Sequence, residues 1–402
     1  MIKFLLVFGS VFLVLELIFF VLAVKVFKLP SFLFWGILSY SFFAYLFFVF
    51  QVFSYDRSIG PSHSFYWGVG FMVLHVVPKL IVILFLIVSY LVMLVVNVNA
   101  SAEVIQGRRK FIGKLGLGIA ALPLVGIIHG LWKGKYNFKV IKKQLFFADL
   151  PKAFDGFKIL QISDLHSGSF DDADKIKYAI DLINKQEADL FLFTGDIVNT
   201  KAEEFHPWLT TFNKLKEFPH GKFSVLGNHD YGEYVTWPSD KAKQDNFESI
   251  KGLHKQVNFD LLCNENRTIK KGEAQIQLIG VENWGKNFKK AGDLKLASEG
   301  LVQNDFKVLM SHDPSHWEYE VKAHPMNYQL TLSGHTHGLQ FGIEIPGIFK
   351  WSPIQYVYKQ WAGIYAHADR YINVNRGFGF HAFPGRVGIW PEISILELKR
   401  KV

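Results

Sequence analysis

Eight side chains that can hold a metal ion or move a proton stand at the ends of short apolar runs: Asp164, His166, Asp196, Asn228, His229, His312, His335 and His337. Carboxylates, imidazoles and one amide oxygen form a mixed hard and borderline donor set that suits Mn, Fe or Zn. Eight groups are too many for one tetrahedral ion and match two adjacent ones. Two metals about 3.5–4 Å apart can activate a bridging hydroxide and clamp the oxygens of an in-line displacement at phosphorus. In Gly334-His335-Thr336-His337-Gly338 the histidines alternate along an extended or turn segment, so the two rings can reach different metals.

Singly, each of these residues has a plainer use. A strand-end Asp is more often a helix cap, and a lone His is more often a satisfied polar contact. His206, His220, His254, His316, His324, His367 and His381 are read that way. The set differs, because five separate loops would have to converge by accident, and converging ligand-type groups at strand ends mark a functional site.

The elements that must position the set follow from hydropathy. Residues 157–162 form an apolar run broken only by Lys158 and Gln161, as in a strand buried on both faces, and open into Ser163-Asp164-Leu165-His166. A helix-period stretch follows, with Ile176, Ile180 and Ile183 on one face and Asp171 or Asp172 as N-cap. Residues 190–194 open into Gly195-Asp196, a second helical stretch carries Phe205, Leu209, Phe212 and Leu215, and residues 223–226 open into Gly227-Asn228-His229-Asp230. Strand, helix, strand, helix, strand predicts a right-handed parallel α/β unit with its ligands at the carboxyl edge of the sheet. Beyond a polar helix at 241–255 and short strands at Leu261 and 276–280, residues 306–310 open into Ser311-His312-Asp313-Pro314, and 328–332 open into the Gly-His-Thr-His-Gly turn. Residues 371–374 and 393–398 alternate apolar and polar side chains, which predicts antiparallel edge strands.

Asp-x-His, Gly-Asp, Gly-Asn-His-Asp, a later His and Gly-His-x-His, in this order over residues 159–338, resemble the calcineurin-like metallophosphoesterase family. Tyr371-Ile-Asn-Val-Asn-Arg-Gly-Phe-Gly followed by Pro391-Glu392-Ile393 resembles its membrane-associated branch, which includes enzymes similar to UDP-2,3-diacylglucosamine hydrolase and twin-arginine-exported phosphodiesterases. The resemblance implies an α/β fold, a four-layer sandwich of two mixed sheets flanked by helices. It also implies that Asp164, His166, Asp196 and His337 hold a first metal, and that Asp196, Asn228, His312 and His335 hold a second, with Asp196 bridging. By the same resemblance His229 faces the substrate rather than a metal, and Asp230 is hydrogen-bonded to its other nitrogen. Asn228 and His229 are chain neighbours that tend to point apart, which agrees with that division.

The chain is 50% hydrophobic and only 20% charged, with 39 Phe among 402 residues, and the apolar excess lies at the front. Residues 4–24, 31–53, 80–98 (or from Phe65) and 111–132 are four candidate spans, each near the roughly 20 residues a bilayer requires. Pro78 and Lys79 mark a kink or an interfacial boundary in the third. The expected organisation is an all-α transmembrane domain of about four helices at 1–132, a juxtamembrane linker at 133–156 and a catalytic domain at 157–402. Lys25, Lys28, Arg108, Arg109 and Lys110 favour a cytoplasmic side for their loops, whereas Lys133, Lys135, Lys139, Lys142 and Lys143 argue the opposite. Arg108-Arg109-Lys110 before a Gly-rich apolar run also resembles a twin-arginine signal, so the side is left open. One cysteine, Cys263, excludes an intramolecular disulfide framework.

The expectation is a multi-pass protein of a bacterial inner membrane carrying a two-metal phosphoesterase. Its substrate would be a phosphodiester or pyrophosphate, with a lipid or nucleotide-lipid such as a UDP-diacylglucosamine-like molecule suggested by the anchor and by the aromatic stretch 349–361. Expected partners are this phosphoester and membrane lipids. Nucleic acid is not expected, because the spans and the lack of a basic, aromatic-interleaved groove pattern weigh against it, so the net charge of +9 is assigned to the membrane surface. The alternative is a catalytically idle metal-binding scaffold or sensor.

Overall fold

The computed structural model describes residues 2–27, 30–96 and 102–401. Lys28 and the end of the third expected span, Val98, lie outside the described residues. By its internal contacts the chain divides into two units, Met1–Asp56 with Pro61–Trp132, and Arg57–Gly60 with Lys133–Val402.

The first unit is built from α1 (Ile2–Phe27), α2 (Ser31–Phe53), α3 (His63–Val96) and α4 (Ala102–Trp132). Ser31–Phe53, His63–Val92 and Lys110–Trp132 are each long and apolar enough to cross a membrane, and Val7–Leu22 of α1 is a shorter apolar stretch. Helices suit such sequences because lipid offers no partner to a backbone N–H or C=O, so each must pair within its own segment. At Pro78 and Lys79, where a kink or an interfacial boundary is expected, α3 runs on through Pro78. Lys79 lies inside that helix. It is buried, and its Nζ donates to both carboxylate oxygens of Glu16 on α1 at 2.8 Å and to Ser41 Oγ on α2 at 2.7 Å. His75, one turn earlier on α3, meets Glu16 Oε1 at 2.8 Å. A charge among apolar helices is tolerated when a partner neutralises it.

The second unit runs β1 (Lys139–Phe147), β2 (Lys158–Ile162), α5 (Ala173–Asn184), β3 (Leu190–Phe193), α6 (Leu209–Phe212), β4 (Lys222–Ser224), α7 (Asp240–Gln256) and β5 (Asp260–Leu261). It continues through β6 (Glu265–Lys271), β7 (Ala274–Gly280), α8 (Leu294–Ala297), β8 (Lys307–Met310), α9 (Ser315–Tyr319) and β9 (Leu330–Ser333). The hairpin β10 (Ile343–Ile345) and β11 (Phe349–Trp351) follows, then β12 (Gly363–His367), β13 (Arg370–Val374) and β14 (Glu392–Arg400). Two six-stranded mixed sheets result, in the orders β1-β14-β2-β3-β4-β5 and β12-β13-β9-β8-β7-β6.

Alternating side chains explain the layering. Ile159, Leu190, Leu192 and Leu396 of the first sheet join Leu278, Val308, Leu330 and Leu332 of the second in one buried cluster between the sheets. The other face of the first sheet, with Leu160, Ile162, Phe191 and Phe193, packs against Ile176, Ile180 and Ile183 of α5 and Leu253 of α7. The other face of the second sheet carries Ile279, Leu309 and Ile372 against Leu294 of α8 and Trp317 of α9. Asp172 is the N-cap of α5, its side chain accepting the Lys175 N–H at 3.1 Å.

Two expectations require correction by one observation. Residues 133–156 are not a linker, because β1 lies in this stretch and pairs in parallel with all of β14, from Lys139↔Glu392 to Phe147↔Arg400. β14 is therefore not an edge strand: it lies between β1 and β2, antiparallel to the latter. β13 is also interior, parallel to β9 on one side and antiparallel to β12 on the other. The lysines of β1 concealed a strand whose one consistently buried face, Leu145 and Phe147, is short. The register of the parallel strands aligns Ile162 with Phe193 and Phe193 with Ser224, so the loops after β2, β3 and β4 open at one edge. In the second sheet Met310 aligns with Leu332, which brings the loops after β8 and β9 together in the same way.

Candidate metal centre

Those five loops carry the predicted residues, and most of these side chains meet. Asp164, His166 and His337 form one group whose potential ligand atoms lie within 4.8 Å of one another, and Asp196, His312 and His335 form a second. Asn228 joins the second group, its Oδ1 2.7 Å from His335 Nδ1. Asp196 lies between the groups, with Oδ2 3.1 Å from His312 Nε2 and 3.6 Å from His166 Nε2. His337 Nε2 is 3.2 Å from Asp164 Oδ1.

The backbone is bent to achieve this. Asp164, His166, Asp196, His335 and His337 all have positive φ, from 48° to 70°. Such backbone costs a non-glycine residue of order 1–3 kcal/mol, and it persists where the surroundings over-determine it. The surroundings here include glycines packed tightly against these side chains. A Cβ on Gly227 would stand 2.2 Å from Asp196 Oδ1, and one on Gly334 would stand 1.9 Å from Ser163 Oγ and 2.2 Å from Asp164 Oδ2.

The donor atoms fit a cation. Nε2 of His312 and of His337 is buried with no hydrogen-bond partner, although each faces a carboxylate. Buried polar atoms are otherwise almost always paired, so two orphaned imidazole nitrogens beside carboxylates are what a metal site requires. His312 Nδ1 donates to Thr194 O at 2.7 Å, which turns Nε2 towards Asp196 and fixes the ring as metal-binding histidines are usually fixed. Burial disfavours charge on Asp164 and Asp196, yet His337 and His312 beside Asp164 and His312 beside Asp196 hold both carboxyls low. Burial also opposes a charged His312, but Asp196 outweighs it and pushes this imidazole up to about 10. Burial pushes His166, His229, His335 and His381 down, towards the neutral form that ligates metal.

His229 belongs to neither the Asp164 group nor the Asp196 group. Its backbone N–H donates to Asp196 Oδ1 at 2.8 Å, its Nδ1 donates to Asn199 O at 2.7 Å, and its ring stacks on Tyr234 at 4.2 Å. Asp230 does not hold it, contrary to the sequence reading. The Asp230 carboxylate turns the other way and accepts the backbone N–H groups of Asp196 (3.0 Å), Ile197 (2.9 Å) and Gly227 (2.8 Å). Three strand-end N–H donors that no ladder pairs claim this buried carboxylate, and a carbonyl serves His229 instead.

Several residues at the site were not anticipated. By sequence His381 is a plain polar histidine, but its ring lies 4.8 Å from that of His166 and 4.6 Å from that of His229, and the three form a further ligand-type group. Asn199 Oδ1 is 3.1 Å from both His166 Nδ1 and His381 Nδ1. Tyr358 Oη lies 2.8 Å from His335 Nε2 and 3.4 Å from Asp313 Oδ2. Arg386, fully buried, donates to the carbonyls of Arg376 (2.8 Å) and Gly379 (2.9 Å) and approaches His337 Nδ1 at 3.2 Å. Burial pushes its guanidinium down to about 9. Of these, Asn199 stands three residues after Asp196, and His381 stands two residues after the 371–379 motif.

Comparison with known proteins agrees with the geometry. Residues 157–339 match the calcineurin-like phosphoesterase domain, and residues 2–135 match the description "Probable Calcineurin-like phosphoesterase, transmembrane domain". The chain is 31% identical over 253 residues to the metallophosphoesterase YkuE of Bacillus subtilis, covering 62% of this chain and 82% of that protein. It is 26% identical over 358 residues to a metallophosphoesterase of Helicobacter pylori, covering 87% of this chain and 86% of the other. The phosphodiesterase YaeI of Escherichia coli is 29% identical over 297 residues, covering 72% of this chain and 98% of YaeI. With its apolar helices, the chain is a multi-pass membrane protein. It belongs to the calcineurin-like phosphoesterase family and is a metal-dependent phosphoester hydrolase.

Proposed function

We propose that the chain hydrolyses a phosphodiester or pyrophosphate bond at a two-metal centre, on a lipid or nucleotide-lipid such as a UDP-diacylglucosamine-like substrate. The observation that carries the two-metal part is the pair of buried ligand groups, Asp164-His166-His337 and Asp196-His312-His335. In this reading Asp164, His166, Asp196 and His337 hold one ion, and Asp196, Asn228, His312 and His335 hold the other. The donor types favour Mn, Fe or Zn. When bound, such ions supply Lewis acidity and lower the pKa of a coordinated water.

The chain's own residues do the remaining work. His229, with Nδ1 donating to Asn199 O, presents Nε2 as the group that meets a phosphoryl oxygen or protonates the leaving oxygen. Asp230 serves by bracing the Asp196 and Gly227 loops rather than by touching His229. Residues 1–132 anchor the protein, and 133–402 carry the chemistry. The multi-pass front supports a lipid substrate, since enzyme and substrate then share the membrane.

The test uses the full chain in detergent, loaded with Mn and assayed on an aryl phosphodiester and on UDP-diacylglucosamine, with Asp196→Asn and His229→Ala alongside. Metal-dependent turnover abolished by Asp196→Asn is expected on both substrates. No turnover of either, or an intact Asp196→Asn enzyme, rejects the two-metal reading. Turnover of the aryl ester alone rejects the nucleotide-lipid substrate.

A further inference from the structure

The β10–β11 hairpin has its polarity reversed. In its register Ile343 pairs with Trp351, Glu344 with Lys350 and Ile345 with Phe349. The outward side chains are Ile343, Ile345 and Phe349, 54%, 49% and 52% exposed, and Ile348 at the turn is 82% exposed. The charged pair faces inward. Glu344 is bound by Arg376 at 2.5 Å, and Lys350 Nζ donates to Ala362 O at 2.5 Å and Tyr365 Oη at 3.0 Å. A hairpin lying against a domain in water alternates the other way, apolar in and charged out. Four large apolar side chains on one short projection form the kind of patch that soluble surfaces avoid unless something covers it.

Charge identifies what covers it. Lys139, Lys142 and Lys143 on β1 line one groove of about 500 Å³ with Pro346 and Gly347 of the hairpin turn. All three lysines are exposed. Glu344 and Glu392 share the groove, and both are paired with Arg376, so the balance there is positive. An apolar tip beside a cluster of lysines is complementary to a bilayer bearing anionic headgroups, and this multi-pass chain is never away from a bilayer.

We propose that this hairpin is a bilayer-docking element: Ile343, Ile345, Ile348 and Phe349 enter the edge of the acyl region, and Lys139, Lys142 and Lys143 meet the headgroups of anionic phospholipid. The inference does not rest on the substrate proposed above.

The test places a bimane label at Ile348→Cys in full-length Cys263→Ser protein, reconstituted in vesicles containing phosphatidylglycerol and acyl-chain nitroxide lipid. A label at Gln244→Cys, on the polar helix α7, is the control. Quenching of the Ile348 label should exceed the control several-fold. It should fall towards the control in phosphatidylcholine alone, and when Lys139, Lys142 and Lys143 are all changed to Gln. Quenching no greater than the control overturns the proposal, as does a shielded label insensitive to lipid quencher, which would mean that protein covers the patch. Equal quenching in both lipids overturns the headgroup contact. Turnover is not read, so failure here is distinct from failure of the enzymatic reading.

Discussion

The Asp230 carboxylate accepts the backbone N–H of Asp196 at 3.0 Å, and this bond joins the loop after β4 to the loop after β3. With the bonds from Ile197 and Gly227, it fixes the spacing of Asp196 and Asn228 without touching His229. In Asp230→Asn one acceptor oxygen becomes an amide that faces N–H donors. The expected loss is about 1–3 kcal/mol of stability for a buried donor left unpaired, read as a lower melting temperature. A pH–rate limb that titrates with the proposed His229 acid should not move. A shifted limb would mean that Asp230 acts through His229 after all.

Asn199 bridges three histidines, with its carbonyl on His229 and its Oδ1 on His166 and His381. Asn199→Ala keeps the first contact and removes the other two. Losing a group that orients a metal-binding histidine costs about 10–100-fold in metal affinity or activity. Titration of the variant with Mn against a competing chelator should show such a loss, with His229 chemistry intact at saturating metal.

A site residue is legible in the sequence when it advertises itself locally. Asp164, Asp196, Asn228, His312 and the His335/His337 pair each follow an apolar strand, so strand-end position and residue type located them together. His381 and Arg386 sit in a loop without regular structure, between the 371–379 and 391–393 motifs and more than forty residues past Gly338, where neither residue follows an apolar strand directly. β1 was missed because Lys139, Lys142 and Lys143 broke its pattern, and β6 because Ile269 is its one fully buried apolar side chain. Asp230 was misassigned for a different reason: adjacency to His229 suggested contact, but unpaired backbone donors had the stronger claim on its carboxylate.

Arg386 fills a buried position and donates to carbonyls of the 376–379 loop, whose Phe378 and Gly379 N–H groups in turn reach Ser163 O and Asp164 O. Arg386→Met leaves those carbonyls without donors. At about 1–3 kcal/mol for each buried group left unsatisfied, the unfolding midpoint should fall clearly. Arg386→Lys should recover only part of it, because one ammonium cannot reproduce the planar fork.

His254 supplies a pH dependence away from the candidate metal centre. It is buried on α7, its Nδ1 2.8 Å from Ser224 Oγ and its ring stacked on Phe193 at 5.7 Å, and burial pushes it down to about 3 from an ordinary 6.5. Between those values the unfolded chain binds a proton that the folded chain does not. The contribution to stability is therefore complete above pH 6.5 and is lost as pH falls from there towards 3, at roughly 1.4 kcal/mol per unit. The melting temperature of His254→Phe should accordingly drop less than that of the wild type between pH 7.5 and 5.5. Parallel curves would show that His254 is not the source.

The ion pair inside the membrane unit makes the last prediction. Glu16, Lys79 and His75 join α1 to α3, and Ser41 adds α2. Removing one partner of a buried pair strands the other, at a cost of about 3–5 kcal/mol, whereas replacing both with apolar groups of similar volume is often neutral. Glu16→Leu and Lys79→Met alone should each lower the thermal stability of the full chain in detergent and broaden its size-exclusion peak. The double variant should recover most of the loss if the pair serves only to join helices. A double variant that is stable yet inactive would give the membrane unit a part in the reaction beyond anchoring, because its packing would then be intact while turnover was not.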